Sequence, residues 1–135
     1  MGTWSHEPFG NDTANDWASE LEGTTDLSVI EKTIDNVLIA DRYIGALEAT
    51  KAVAAAEVIA NLLGKSTQSD AYTEKIDAWV QQVSIKPSPA LRTKAVQALQ
   101  RIVGNKSELR DLWDEVPMGQ VWLQSIAALQ AAIRN

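Results

Sequence analysis

The segment ALEATKAVAAAEVIANLL, residues 46–63, constrains the fold more than any other part of the chain. Alanine and β-branched residues cover nearly the whole circumference of a helix built from it, and such a helix is surrounded by other helices in a folded protein. Its longest apolar part, AVAAAEVIANLL, is too short to span a bilayer, and Glu57 and Asn61 interrupt it. It therefore predicts a buried helix from about Leu47 to Leu63, ended by Gly64, at the centre of an all-α fold.

Capping residues and apolar spacing predict about six further helices, and no segment shows the two-residue alternation of a strand. Asn11 or Asp12 is the expected N-cap of the first helix, and Ser28 with Glu31 has the spacing of a capping box. Pro89 is expected at the first position of a later helix. The predicted helices form a compact bundle and span residues 12–22, 28 to about 43, 47–63, 70–83, 89–104, 107–116 and 120–133.

The segment SELRDLWDEV, residues 107–116, predicts a short helix capped by Ser107. Four of its apolar side chains are expected to point inward: Leu109, Leu112, Trp113 and Val116. Trp113 is one of four tryptophans that fall in the apolar stripes of predicted helices, so we assign these four to the core.

The first residues, MGTWSHEPFGNDTANDW, concentrate aromatic side chains before the first helix. Trp4 and Phe9 are expected to fill apolar gaps beside the alanine-rich helix, and Pro8 stiffens the chain between Trp4 and Phe9. Residues 1–11 are therefore predicted to form an extended arm anchored on the bundle. His6, the single histidine of the chain, is expected to be exposed on this arm.

Glu57 lies where the central helix should be most buried. A buried carboxylate must be paired or hydrogen-bonded, or else hold a proton at a raised pKa. Glu57 is therefore either a functional acid or a structural acid that binds free N–H groups, such as amides of the N-terminal segment, or a cation such as Arg42. The structural role is favoured because no catalytic companion is visible in the sequence.

The net charge of −6 is unevenly distributed along the chain. Residues 1–50 carry a charge of −8, and residues 51–135 carry +2. An acidic protein repels phosphate backbones, so nucleic acid is not an expected partner. The stretch from 86 to 110 is an exception, with six basic residues and one acid, Glu108. We interpret it as a solvated face that complements the acidic N-terminal half.

Several classes of chemistry have no support in the sequence. The chain has no cysteine, which excludes thiol catalysis, thiolate metal sites and disulfides. It has no nucleophile elbow, phosphate-binding loop or dinucleotide fingerprint. His6 has Glu7, Asp12 and Asp16 nearby, but their spacing matches no known binding loop, so neither a metal nor a cofactor is predicted. The first basic side chain is Lys32, so the sequence indicates no secretory leader, no membrane segment and a soluble cytoplasmic protein.

The pattern MGTW…PF.ND.A.DW resembles the start of a bacterial family of uncharacterised proteins, the domain of unknown function family DUF 4259. The positions that match are Met1, Gly2, Trp4, Pro8, Phe9, Asn11, Asp12, Ala14, Asp16 and Trp17. AAAEVIA around Glu57 and SELRDLW from Ser107 to Trp113 resemble two further segments of the family. Ser5 and Glu7 depart from it, since the family usually has glycine at these positions. The resemblance implies a helical fold and a bacterial cytoplasmic protein, and it implies no activity.

Three functional hypotheses follow. The leading one is a small non-enzymatic protein–protein interaction module that binds a basic protein partner by electrostatic complementarity, in a stress, defence or toxin-neutralising (immunity) role. The alternative is a carboxylate-based enzyme or small-ligand-binding domain. Its pocket would gather His6, Asp12, Asp16, Asp41 and Glu57. The second alternative is a structural homo-oligomer, and the sequence does not predict an oligomeric state.

Overall fold

The computed structural model describes residues 5–40 and 42–134, and within these ranges the chain forms seven α-helices and one 3-10 turn but no strand. The predicted all-α fold is confirmed. The helices are α1 (Asp12–Glu22), α2 (Ser28–Leu38), α3 (Ala46–Leu62), α4 (Glu74–Val83), α5 (Pro89–Ile102), α6 (Glu108–Asp114) and α7 (Gly119–Arg134), and the 3-10 turn (Ala71–Thr73) precedes α4.

Helix α3 lies at the centre of the bundle. All residues from Ala52 to Ala60 are buried, and α3 contacts the other six helices. Short alanine side chains allow neighbouring helices to pack closely on α3. Within the two described ranges, no helix has the length and apolarity that a membrane crossing requires.

Three of the predicted helix starts are confirmed by side-chain caps. The Asn11 side chain accepts a hydrogen bond from the Ala14 amide at 2.7 Å and begins α1. Ser88 caps α5 immediately before Pro89, and Ser107 caps α6. Each hydroxyl or amide oxygen satisfies one N–H group that has no partner within the first turn of its helix.

The predicted capping box at the start of α2 is wrong. The N-cap is Leu27, which makes no side-chain cap. Ser28 instead donates its amide and its hydroxyl to Asp26 Oδ1, at 3.0 and 2.7 Å. Ser28 is the first residue of the helix and not its N-cap, and the Glu31 amide donates to the Leu27 carbonyl oxygen at 2.9 Å. Helix α2 also ends earlier than predicted, at Leu38.

Two predictions about helices α4 and α6 are corrected. Asp70 caps the 3-10 turn, and α4 begins only at Glu74. Leu112 and Val116, predicted to point inward, are exposed. Helix α6 has only seven residues and is packed on one side, where Leu109 is buried. The structure therefore leaves an apolar edge of α6 in solvent.

The N-terminal segment from residue 5 to residue 11 packs on the bundle. Phe9 is fully buried, and Pro8 is buried beside it. The Phe9 amide donates to Gln68 Oε1 at 2.8 Å, and the Ser125 hydroxyl donates to the His6 carbonyl oxygen at 3.2 Å. His6 is half-buried rather than exposed. The predicted anchor at Trp4 lies outside the described residues.

The acidic N-terminal half and the basic stretch meet in one ion pair that the structure describes. Lys94 of α5 lies 3.1 Å from Asp35 of α2, and both side chains are about half exposed. Arg92 and Arg101 donate instead to backbone carbonyl oxygens, Arg92 at the end of α7 and Arg101 in the loops. The basic stretch therefore closes helix ends and loops more than it pairs with carboxylates.

Phe9→Ala tests the anchoring of the N-terminal segment. Removing a fully buried phenylalanine should lower the free energy of unfolding by about 3–5 kcal/mol. Ile39→Ala is the control, because Ile39 is 76% exposed and its truncation should cost little. Urea unfolding followed by circular dichroism measures both. Equal stabilities for the two variants would show that the segment is not anchored.

Candidate functional site

The carboxylate of Glu57 is buried and has three hydrogen bonds. Glu57 is 1% exposed in the middle of α3. Its Oε2 accepts from the amides of Thr67 and Gln68 at 2.8 and 3.0 Å, and its Oε1 accepts from the Thr67 hydroxyl at 2.5 Å. The predicted buried carboxylate bound to free N–H groups is confirmed. The donors are neither Arg42 nor amides of the N-terminal segment, so both suggested partners are wrong.

The turn after α3 brings these donors to Glu57. Gly64, with a φ of 76°, allows the chain to reverse, and the Lys65 amide donates to the Ala60 carbonyl oxygen at 2.8 Å. This is the usual way in which glycine ends a helix. The chain then runs back along α3, so residues 67 and 68 lie beside Glu57.

Gln68 connects this loop to the N-terminal segment. Its side chain is 2% exposed; Oε1 accepts from the Phe9 amide, and Nε2 donates to Asp70 Oδ2 at 3.0 Å. Glu57 therefore holds the backbone of Gln68, and Gln68 holds the backbone of Phe9. The arrangement stabilises the loop and the segment together.

Burial raises the pKa of Glu57 above its ordinary value of 4.5. The hydrogen bonds from Thr67 and Gln68 favour the charged form and lower the pKa, and the negative charge of Asp77 raises it. Such a group can hold a proton. However, a substrate cannot reach it unless the loop at residues 67 and 68 moves.

A small cavity lies between the N-terminal segment, α3, α6 and α7. His6, Asn11 and Thr50 are among its lining residues, together with the parallel rings of Trp113 and Trp122, whose centroids are 5.8 Å apart. Its volume of about 20 Å³ is enough for about one water molecule. Neither Asp12 nor Glu57 lines it.

The other predicted pocket residues are not brought to this cavity. Asp12 and Asp16 are exposed on α1, and Asp41 lies outside the described residues. Within the described ranges, no three histidine or carboxylate side chains are grouped closely enough to hold a metal ion. The structure thus separates His6, Asp16 and Glu57.

A joint between two loops is a feature that the sequence analysis missed. Ile44 and Ser107 form an isolated parallel bridge, in which the Ile44 amide donates to the Lys106 carbonyl oxygen at 2.8 Å and the Glu108 amide donates to the Ile44 carbonyl oxygen at 2.9 Å. The Ala46 amide donates to Glu108 Oε1 at 2.7 Å. The start of α6 is therefore fixed beside the start of α3.

This joint supports an exposed surface that we call the α6 surface. Five large apolar side chains that are 43–53% exposed come from two short stretches that the joint holds together: Tyr43, Leu47, Leu112, Val116 and Met118. Carboxylates accompany them, because Glu108, Asp111 and Glu115 have the helical spacing that places them on one side of α6 with Leu112. That spacing was the signal in the sequence, but the apolar residues suggested a buried stripe.

Tyr43 is bound to this acidic side. Its hydroxyl donates to Asp111 Oδ2 at 2.6 Å. This hydrogen bond is the main cause that raises the pKa of Tyr43 to about 12, and the charges of Asp111, Glu108 and Glu115 act in the same direction. The phenol therefore experiences a negative field from α6.

A comparison of the sequence with protein-family models gives a match that spans all of these features. The model of the domain of unknown function DUF4259 matches residues 2–125. The chain belongs to the DUF4259 family. The match confirms the resemblance seen in the sequence, and it includes the N-terminal segment, Glu57 and the α6 surface. No curated protein and no solved structure matches the chain. DUF4259 membership assigns no activity, so the function is argued from the site.

Comparing Glu57→Gln with Glu57→Leu separates the effect of the Glu57 charge on stability from the effect of its hydrogen bonds. A glutamine oxygen can still accept from the two amides, whereas leucine leaves them unbound, so Glu57→Leu should cost about 3 kcal/mol of unfolding free energy and Glu57→Gln much less. Because the folded-state pKa is raised, the folded protein binds a proton more readily than the unfolded chain.

The stability of the parent protein relative to Glu57→Gln should therefore fall as pH rises from 4.5 through the raised pKa. Below pH 4.5 the two proteins should differ least, because Glu57 is then neutral in both states. Urea unfolding over a pH series measures the difference. A difference that is constant, or that grows in favour of the parent with rising pH, would contradict the assignment.

Gln68→Leu tests the link between the loop and the N-terminal segment. The Phe9 amide should lose its buried acceptor, so its hydrogen exchange should become about tenfold faster or more. The Ala14 amide, which is bound to Asn11, is the internal control and should change less. Exchange measured by nuclear magnetic resonance distinguishes the two amides. Equal changes at both would indicate global destabilisation instead of a local link.

Proposed function

We propose that this DUF4259 protein is a non-enzymatic protein–protein interaction module and that it binds its partner through the α6 surface. The observation that carries the proposal is the concentration of exposed apolar side chains in residues 43–47 and 112–118. Contiguous exposed apolar surface is characteristic of interaction sites. Tyrosine and methionine, both present here, are enriched at such interfaces.

The construction of the surface supports the same proposal. The surface is held on a fixed support, since Ile44 is buried and paired with the loop before α6, and Trp113 packs inward from the same helix. A surface that is already ordered loses little conformational entropy when a partner binds. Such a module could serve as an immunity protein that neutralises a basic toxin.

The enzyme alternative has weaker support. The Glu57 carboxylate is fully hydrogen-bonded under the loop, and the cavity lined by His6 has room for about one water molecule. An enzyme would require both groups near a cleft that admits a substrate. The homo-oligomer alternative would use the same α6 surface, and the crosslinking experiment below distinguishes it from binding of another protein.

Site-specific photo-crosslinking tests the proposal in cells that contain the native partner. A crosslinker at position 112 should label one defined protein, and a crosslinker at position 39 should not, although Ile39 is the more exposed residue. Leu112→Ser should abolish capture of that protein by the affinity-tagged chain, and Ile39→Ser should preserve it.

Equal labelling from positions 112 and 39, or capture that survives Leu112→Ser, would overturn the proposal. Crosslinking from position 112 to a second copy of the chain would favour the structural homo-oligomer. The folded state of each variant is checked by circular dichroism, so that loss of capture is not loss of structure.

A further inference from the structure

We propose that the α6 surface recognises an arginine in a basic, partly apolar segment of the partner protein, with the guanidinium stacked on Tyr43 and bound to Asp111. This inference rests on the proposed function and specifies the chemistry of the partner.

The carboxylates of the surface favour a basic occupant. Glu108, Asp111 and Glu115 lie on the side of α6 that faces Tyr43 or adjoins Leu112. The ion pair that the structure describes on this helix joins Arg110 to Asp114, and Arg110 also donates to the Val103 carbonyl oxygen. Arg110 is thus bound to Asp114 and Val103 and not to Asp111. An approaching cation would therefore meet carboxylates that have no cationic partner in the described part of the chain.

The position of Tyr43 favours arginine over lysine. The ring is 53% exposed, and its hydroxyl fixes Asp111 Oδ2 beside it. The second oxygen of Asp111 remains for an outside donor. A guanidinium is planar, so it can stack on the ring while its N–H groups bind the carboxylate next to that ring. A lysine ammonium is a compact, strongly hydrated charge and gains less from the ring.

The apolar neighbours indicate that the segment is amphipathic. Leu112 lies on α6 and Val116 lies just beyond its end, and Leu47 follows Ala46, whose amide is bound to Glu108. They offer contact area to the aliphatic stem of the arginine and to apolar side chains beside it. A second copy of the chain is a poor occupant because the net charge of −6 makes copies repel one another.

Fluorescence anisotropy with three labelled synthetic peptides tests the inference. All three peptides have leucine at the same positions of one amphipathic pattern. The polar positions are arginine in the first peptide, lysine in the second and glutamate in the third. The arginine peptide should bind about fivefold more tightly than the lysine peptide, and the glutamate peptide should not bind. Asp111→Asn should weaken both basic peptides, and added salt should weaken them as well.

Tyr43 variants identify the source of the arginine preference. Tyr43→Leu should remove the preference, whereas Tyr43→Phe keeps the ring and should retain most of it. Tyr72→Leu is the matched control, since Tyr72 is a tyrosine of the same exposure on another part of the bundle. Arginine and lysine peptides of equal affinity, a preference that survives Tyr43→Leu, or no binding of either basic peptide would overturn the inference.

The two proposals fail separately. If crosslinking from position 112 identifies a partner while the peptides show no arginine preference, the interaction module stands and the arginine site is wrong. If crosslinking finds no partner-specific contact at position 112, the proposed function itself is wrong.

Discussion

The packing of helices around α3 is the constraint on which the rest of the structure depends. From Ala52 to Ala60 this helix has no side exposed to solvent, so the other six helices must cover it. Glu57 is the carboxylate of this buried stretch. Burying a carboxylate costs free energy unless hydrogen-bond donors stabilise its charge. The chain compensates by reversing at Gly64, which places two amides and a hydroxyl against the carboxylate.

The same constraint shapes the surface that is proposed to bind a partner. Helix α6 is short; Leu109 in its first turn is buried, and Glu108 binds the amide of Ala46 at the start of α3. A helix anchored in this way can bury one side only. Its other side, with Leu112 and the carboxylates, is left beside Tyr43. An exposed acidic and apolar surface thus results directly from how α6 is attached.

Much of the fold could be predicted from the sequence, because its signals are local. The caps at Asn11, Ser88 and Ser107 depend on residues three positions apart, and the burial of α3 depends on a stretch rich in alanine and β-branched residues. The partners of Glu57 could not be predicted, since they depend on how the chain turns after Gly64. The outward position of Leu112 could not be predicted either, because helical spacing fixes which side of a helix is apolar but not whether another helix covers it.

The contacts of the N-terminal segment also bear on the order of folding steps. The Phe9 amide binds a residue 59 positions later in the chain, and the His6 carbonyl oxygen binds one 119 positions later. Closing loops of this length is slow compared with forming local helices. Residues 5–11 precede both partners in the chain, and the His6 contact can form only once α7 has packed. We therefore expect docking of this segment to be a late step in folding.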